Sequence, residues 1–192
     1  DRPNLYFYEK ILNKNVSKIS EHNYFRHKIG NESEEEYSKR SASELEEKCH
    51  NIFSSVDSDL GNHFGIMRDK GLLDLGNRKG KAPGGYCTEY QYQRLPFIFM
   101  NAVGTHSDVQ TMIHEGGHAF HVFESANLPY ASQRDVGMEF AEVASMAMEL
   151  LASPFLTEKD GGFYSDEDSS RARIEHLEKI ISLCKRKGFV FP

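Results

Sequence analysis

The sequence predicts a mainly α-helical protein with a small β-sheet packed beside a central helix. Three observations carry that reading. Several stretches repeat apolar residues at three- and four-residue spacing, capping signals stand ahead of them, and one short aromatic and branched run, Phe97-Ile98-Phe99-Met100, reads as a strand. At 192 residues the chain is long enough to bury a core as one domain or a large piece of one. Its 39% hydrophobic and 27% charged residues match a soluble globular protein. A formal charge of −6 offers no basic face, so neither nucleic acid nor a membrane surface is an expected partner. The run from Leu95 to Met100 contains Pro96 and is too short to span a bilayer. The first residues carry no apolar stretch of the signal-peptide kind. Cys49, Cys87 and Cys184 form neither a disulfide framework nor a CxxC knuckle, which points to a cytoplasmic setting. Cys87, beside a Gly-Gly pair, reads as a small, partly buried residue in preference to a reactive thiol.

Residues 1–41 form a poorly defined N-terminal segment. A weak helical pattern runs through Leu5, Tyr8, Ile11 and Leu12, and the acidic run Glu34-Glu35-Glu36 reads as a solvated helix face or a loop, with no histidine near it to make a metal site. The core is expected over 42–192. Ser43 and Glu46 make a capping box ahead of a helix carrying Leu45, Cys49, Ile52 and Phe53. Asp57 opens a second helix with the stripe Leu60, Phe64, Met67, ended by Gly71. The glycine-rich stretch 76–85 is a loop, and 86–103 holds the strand. Ser107 and Gln110 predict a cap for the next helix, which runs to about Ser125 before Asn127 and Pro129. A further helix covers Val136 to Ala152, stopped by Ser153-Pro154. The last covers Ser170 to Lys187, with Ile174, Leu177, Ile181 and Cys184 on one face and Gly188 past its end.

The chemistry is concentrated in His114-Glu115-Gly116-Gly117-His118, an HExxH motif on the central helix. Histidines four apart lie one above the other on a helix, so two imidazoles can reach one ion. Glu115 is one step round, beside such an ion without ligating it, where it can take a proton from a water. Two mid-helix glycines cost about 1 kcal/mol each relative to alanine, which points to close approach of something to the backbone there. A third ligand is expected from the following helix, where Glu139 and Glu142 share a face. Phe140, Val143, Ala144 and Met146 make that helix at least partly buried, and a buried carboxylate needs a partner such as zinc. His121 continues the stripe either as a residue orienting a ligand or as an ordinary helix-face histidine.

The stretch from Thr105 to Glu149, with His114-Glu115-Gly116-Gly117-His118-Ala119-Phe120-His121 followed by Glu139-Phe140-Ala141-Glu142-Val143-Ala144-Ser145, resembles oligoendopeptidase F and its relatives in the thimet oligopeptidase family. Gly80-Lys81-Ala82-Pro83-Gly84-Gly85-Tyr86 and the lead-in Met67 to Leu75 are similar too, and the resemblance spans about 42–183. It implies a zincin-like metallopeptidase core that hydrolyses oligopeptides, with one zinc per chain on His114, His118 and Glu142 and with Glu115 as general base. The family's Phe-x-Glu falls on Phe140-Ala141-Glu142, which selects Glu142 over Glu139. The resemblance also implies that substrate adds to an edge strand around Phe97–Val103 and that the Gly84-Gly85 loop closes over the cleft. Members of the family are several times longer and place histidine and tyrosine groups well beyond the zinc glutamate. Here Tyr164 is the only tyrosine after Glu142, in a different context. The chain is therefore expected to be a fragment, a truncated paralogue or a disrupted gene product, one that cleaves peptides poorly by itself. The alternatives are a zinc- or peptide-binding module without turnover and a structural domain in which HExxH is accidental. Peptide preference and oligomeric state are not written in the sequence.

Overall fold

The computed structural model describes residues 33–186. The pattern expected at Leu5 to Leu12 and the glycine at Gly188 lie outside them.

The first described helix, α1 (Glu34–Val56), starts at Ser33 and not at Ser43. The Ser33 hydroxyl accepts from the Glu36 N–H at 3.2 Å, and the Glu36 carboxylate accepts from the Ser33 N–H at 2.8 Å. The acidic run therefore opens a helix. Its early turns look polar because their inward positions are serines: Ser38 and Ser41 are buried, and the Ser38 hydroxyl donates to the Asn77 carbonyl at 2.8 Å. Further along, Leu45, Cys49, Ile52 and Phe53 are fully buried, as their spacing requires. Asp57 then caps α2 (Ser58–Asp69), its carboxylate accepting from the Asp59 N–H at 2.7 Å. Phe64 and Met67 point inward, and Gly71, at φ +66°, ends the turn in a conformation that favours glycine.

Three strands follow: β1 (Leu73–Gly76), β2 (Tyr86–Tyr90) and β3 (Leu95–Ala102). Their order is β1-β3-β2, with β1 parallel and β2 antiparallel to β3. The expected strand is therefore the middle one. Its alternate residues Pro96, Ile98, Met100 and Ala102 are buried. That overturns the placing of a substrate edge at Phe97–Val103, because Leu95 to Phe99 are already paired with β2. The outer strand on the side of the central helix is β2.

Helix α3 (His106–Ser125) carries the HExxH motif. It begins at Thr105 and not at Ser107. The Asp108 carboxylate accepts from the Thr105 and Val103 N–H groups at 2.7 and 3.0 Å, so the strand exit and the helix start share one acceptor. A short turn of helix, α4 (Ala131–Arg134), leads to α5 (Met138–Ala152), which starts two residues later than its pattern suggested. Two single 3₁₀ turns, Ser153–Phe155 and Glu158–Asp160, connect it to α6 (Asp166–Arg186). Helix α6 starts ahead of Ser170, with the Ser165 hydroxyl accepting from the Asp168 N–H at 3.1 Å.

The core lies between α1, α2, α3 and the sheet. Phe53 sits edge-on to Phe64 and Phe120, with ring centroids 5.0 and 4.9 Å away. Two expected apolar faces point outward instead. On α5 the buried side is Ser145, Met148 and Ala152, while Phe140 and Val143 are exposed. On α6 the inward side is Ser169, Ala172 and His176, while Ile174, Leu177 and Ile181 are exposed. The side chain of Cys184 lies outside those described. Among the described residues, no helix is long and apolar enough to cross a membrane.

Candidate metal centre

The site is built where α3 crosses α5, and Gly117, one of two adjacent mid-helix glycines, explains how closely they cross. A Cβ on Gly117 would stand 2.6 Å from Ser145 Cα and 2.7 Å from the Ala144 carbonyl oxygen, both backbone atoms of α5. A Cβ on Gly116 would stand 2.6 Å from the tip of the Phe53 ring. Helix packing is thus the reason for both glycines. Bringing α5 this close is also what puts the Glu142 carboxylate over the two histidines.

His114, His118 and Glu142 offer three ligand atoms that lie within 4.8 Å of one another. His114 Nε2 is 3.3 Å from Glu142 Oε2, and His118 Nε2 is 3.8 Å from Glu142 Oε1. Donors held about 2.0–2.1 Å from one tetrahedral ion stand roughly 3.3 Å apart, so the first pair already has that spacing and the second needs only a side-chain adjustment. Two imidazoles and one carboxylate are a donor set that suits zinc. The residues fit such an ion. Glu139 lies on the exposed surface and does not join the group.

Glu115 is buried beside this triad. Burial raises its pKa, and the neighbouring Glu142 carboxylate raises it further, against the opposing effects of the His114 charge and the Cys87 backbone N–H. The N–H contact ties the carboxylate to strand β2. Cys87 itself has its thiol pushed up to about 12 by burial and by the Glu115 charge, so it stays protonated and unreactive. The bland reading of Cys87 holds.

Several contacts here were invisible in the sequence. The Ser145 hydroxyl, fully buried, donates to the Glu142 carbonyl at 3.0 Å and to Glu142 Oε2 at 3.1 Å, which orients the carboxylate. Glu149 Oε1 lies 2.5 Å from His114 Nδ1, and Glu149 Oε2 lies 2.6 Å from His176 Nε2 on α6. The hydrogen bond to Glu149 raises the His114 pKa against the effect of burial. Burial would raise the Glu149 carboxyl as well, but the hydrogen bond from His114 and the close contact of His176, whose Nε2 is near enough but not aligned for a hydrogen bond, hold it at about 2. His118, by contrast, is lowered by burial and then by the charge of His114. His121, half-buried on the same stripe, adds a smaller lowering effect on His118. The i, i+7 spacing of Glu142 and Glu149 is the one sequence signal that could have flagged the second carboxylate.

The glycine-rich loop is anchored at its base. Lys81 Nζ, buried over the Phe99 ring, donates to the carbonyls of Asp74 and Gly76 at 2.9 and 2.8 Å and to Asp74 Oδ1 at 3.0 Å. Gly85 then passes so close to α3 that a Cβ there would stand 2.7 Å from Thr111 Cγ2. Tyr164, by contrast, is fully buried, its hydroxyl 2.7 Å from His106 Nδ1.

The sequence matches the family model of peptidase family M3 over residues 10–191, which extends past both ends of the 42–183 stretch. It is 30% identical over 130 residues to a chromosomal oligoendopeptidase F of Lactococcus lactis subsp. cremoris, covering 67% of this chain and 21% of the relative. Among solved structures, PZ peptidase A with an inhibitor superposes with a TM-score of 0.64 at 33% identity, covering 72% of this chain and 24% of that one. A protein described as an oligoendopeptidase F from Bacillus anthracis gives 0.65, also at 33% identity and with the same coverage. The chain thus spans about a fifth to a quarter of the length of these relatives.

Proposed function

The chain belongs to peptidase family M3, a family of metallopeptidases, and from that we propose that it carries the catalytic core of a zinc-dependent endopeptidase acting on oligopeptides. The observation that supports this most is the convergence of His114, His118 and Glu142 beside the buried carboxylate of Glu115. In this reading His114 Nε2, His118 Nε2 and a Glu142 oxygen hold the ion. When bound, zinc acts as a Lewis acid on the scissile carbonyl and makes a water nucleophilic near neutral pH. Glu115 takes the proton of the attacking water and hands it to the leaving amine, a role suited to a carboxylate whose pKa is raised. The backbone N–H of Cys87 keeps that carboxylate turned toward the cleft edge. Strand β2, the outer strand beside Glu115, replaces the expected Phe97–Val103 as the edge to which an extended peptide adds. A cytoplasmic setting is part of the same proposal, in keeping with the scattered cysteines.

Glu115→Gln is the decisive variant. It keeps the shape of the side chain and removes the base, so zinc should stay near stoichiometric while, in any active form of the protein, turnover of a quenched peptide falls by about 10²–10⁴-fold. A variant that loses its zinc instead would make Glu115 a ligand and sink the mechanism. A second reading, zinc and peptide binding without turnover, is favoured by the burial of Tyr164 against His106, which withholds that hydroxyl from the reacting carbonyl. Stoichiometric zinc with no turnover in the unsubstituted chain would support it.

A further inference from the structure

His114 is gripped from both ends by one helix. Glu142 faces its Nε2 at 3.3 Å, and Glu149, two turns further along α5, meets its Nδ1 at 2.5 Å. An ionised carboxylate can only accept, so Nδ1 carries a hydrogen, and Nε2, which faces Glu142, is the nitrogen that can give its lone pair to an ion. The second oxygen of Glu149 is 2.6 Å from His176 Nε2, and both side chains are largely shielded from water, at 15% and 6% exposure. His176 belongs to α6, a helix with a thin apolar grip: its buried side is Ser169, Ala172 and His176, Ile180 and Leu183 are only half-buried, and Ile174, Leu177 and Ile181 are exposed. A further polar tie of α6 among the described residues is Arg173, whose Nε donates to the Ser153 carbonyl at 3.1 Å.

We propose that Glu149 and His176 are positioning residues of the metal centre, and that the docking of α6 is coupled to metal binding through the chain His114–Glu149–His176. The inference rests on the zinc-site reading above and deepens it. An ion on Nε2 fixes the His114 ring, the ring fixes Glu149 through their hydrogen bond, and Glu149 in turn attracts the His176 ring, which sits in contact with it and swings into hydrogen-bond alignment when the ion is bound. Coupling of this kind is reciprocal, so weakening the α6 end must weaken the metal by the same factor by which metal strengthens α6 docking.

The test uses the full 192-residue chain. Zinc affinity is measured by competition with a chromophoric chelator for the unsubstituted chain, Glu149→Gln, His176→Ala, His176→Gln and Leu177→Ala. Hydrogen exchange of the α6 amides is followed with and without zinc. Loss of a partner behind a metal-bound histidine typically weakens the metal by about 10–100-fold, which is the expectation for Glu149→Gln. His176→Ala should weaken zinc by roughly tenfold, His176→Gln, which restores a donor to Glu149, should recover part of that, and Leu177→Ala on the outer face should match the unsubstituted chain. Zinc should slow exchange in α6 of the unsubstituted chain and not in His176→Ala. Equal zinc affinity in Glu149→Gln and the unsubstituted chain overturns this inference and leaves the zinc site standing. So does exchange in α6 that ignores zinc in the unsubstituted chain, a measurement that needs no variant to fold. An unsubstituted chain that binds no zinc overturns both readings together.

Discussion

The residues that could be read from the sequence are those whose partners lie within one helical turn. His114 and His118 are such a pair, and Glu115 follows from them because a helix fixes where the next side chain points. The carboxylate of Glu142 needed the family's Phe-x-Glu pattern, since spacing alone left Glu139 equal to it. Ser145, Glu149 and His176 were not legible, because what they do depends on a crossing of helices that no local spacing records. His106 is a further case of this kind. It is buried against Tyr164, and its pKa falls to about 4, chiefly through burial, with Glu175 opposing and Lys179 adding to the shift. The consequence for stability has a definite sign. Above pH 6.5 the imidazole is neutral in both folded and unfolded chains, and the contribution is complete. As pH falls from 6.5 toward 4 the unfolded chain takes up a proton that the folded one refuses, so stability drops. At about 1.4 kcal/mol per pKa unit the loss is about 2 kcal/mol by pH 5 and tends to about 3.5 kcal/mol at lower pH. Urea denaturation of the metal-free protein at pH 7.5 and pH 5 should show this drop, and His106→Gln should flatten it. Parallel curves for the two proteins would show that another group sets the slope.

At the scale of elements, apolar periodicity found the helices because three of them bury a stripe of large side chains. It misplaced the start of α1 because the inward residues there are Ser38 and Ser41. It missed β1 because Leu73-Asp74-Leu75-Gly76 is too short to show an alternation. It expected apolar cover on α5 and α6 where Phe140, Val143 and Leu177 are exposed. The two glycines of α3 cost helix propensity, and each has its own cause: the backbone of α5 beside Gly117 and the Phe53 ring of α1 beside Gly116. Gly117→Ala therefore sets two magnitudes against each other. Alanine gains about 1 kcal/mol in helix propensity. Forcing a Cβ to within 2.6 Å of Ser145 Cα pushes on a backbone that cannot rotate away, and overpacking of this sort costs about 1–3 kcal/mol. The net effect should be a loss of stability in thermal or urea unfolding, together with weaker zinc, because Glu142 rides on the displaced helix. Unchanged stability with unchanged zinc affinity would mean that α5 is free to slide and that its close approach does not set the site.

For the molecule as a whole, the fold class and the family were within reach of the sequence, since both follow from motifs carried on the elements around α3. Strand order was not, because the choice of β2 as the outer strand depends on pairing across the glycine-rich loop and not on composition. The matched stretch covers only 21% of one relative and 24% of another, so most of each relative lies outside the match. What the 192 residues do contain is a complete set of three candidate ligands, and the account stands or falls on it. The direct measurement is zinc bound per chain after equilibrium dialysis, for the unsubstituted protein beside His114→Ala, Glu142→Gln and Glu139→Gln. The account predicts one zinc in the unsubstituted chain and in Glu139→Gln, a strongly weakened site in Glu142→Gln, and none retained stoichiometrically in His114→Ala. Full zinc in His114→Ala, or a site lost in Glu139→Gln and kept in Glu142→Gln, would contradict it.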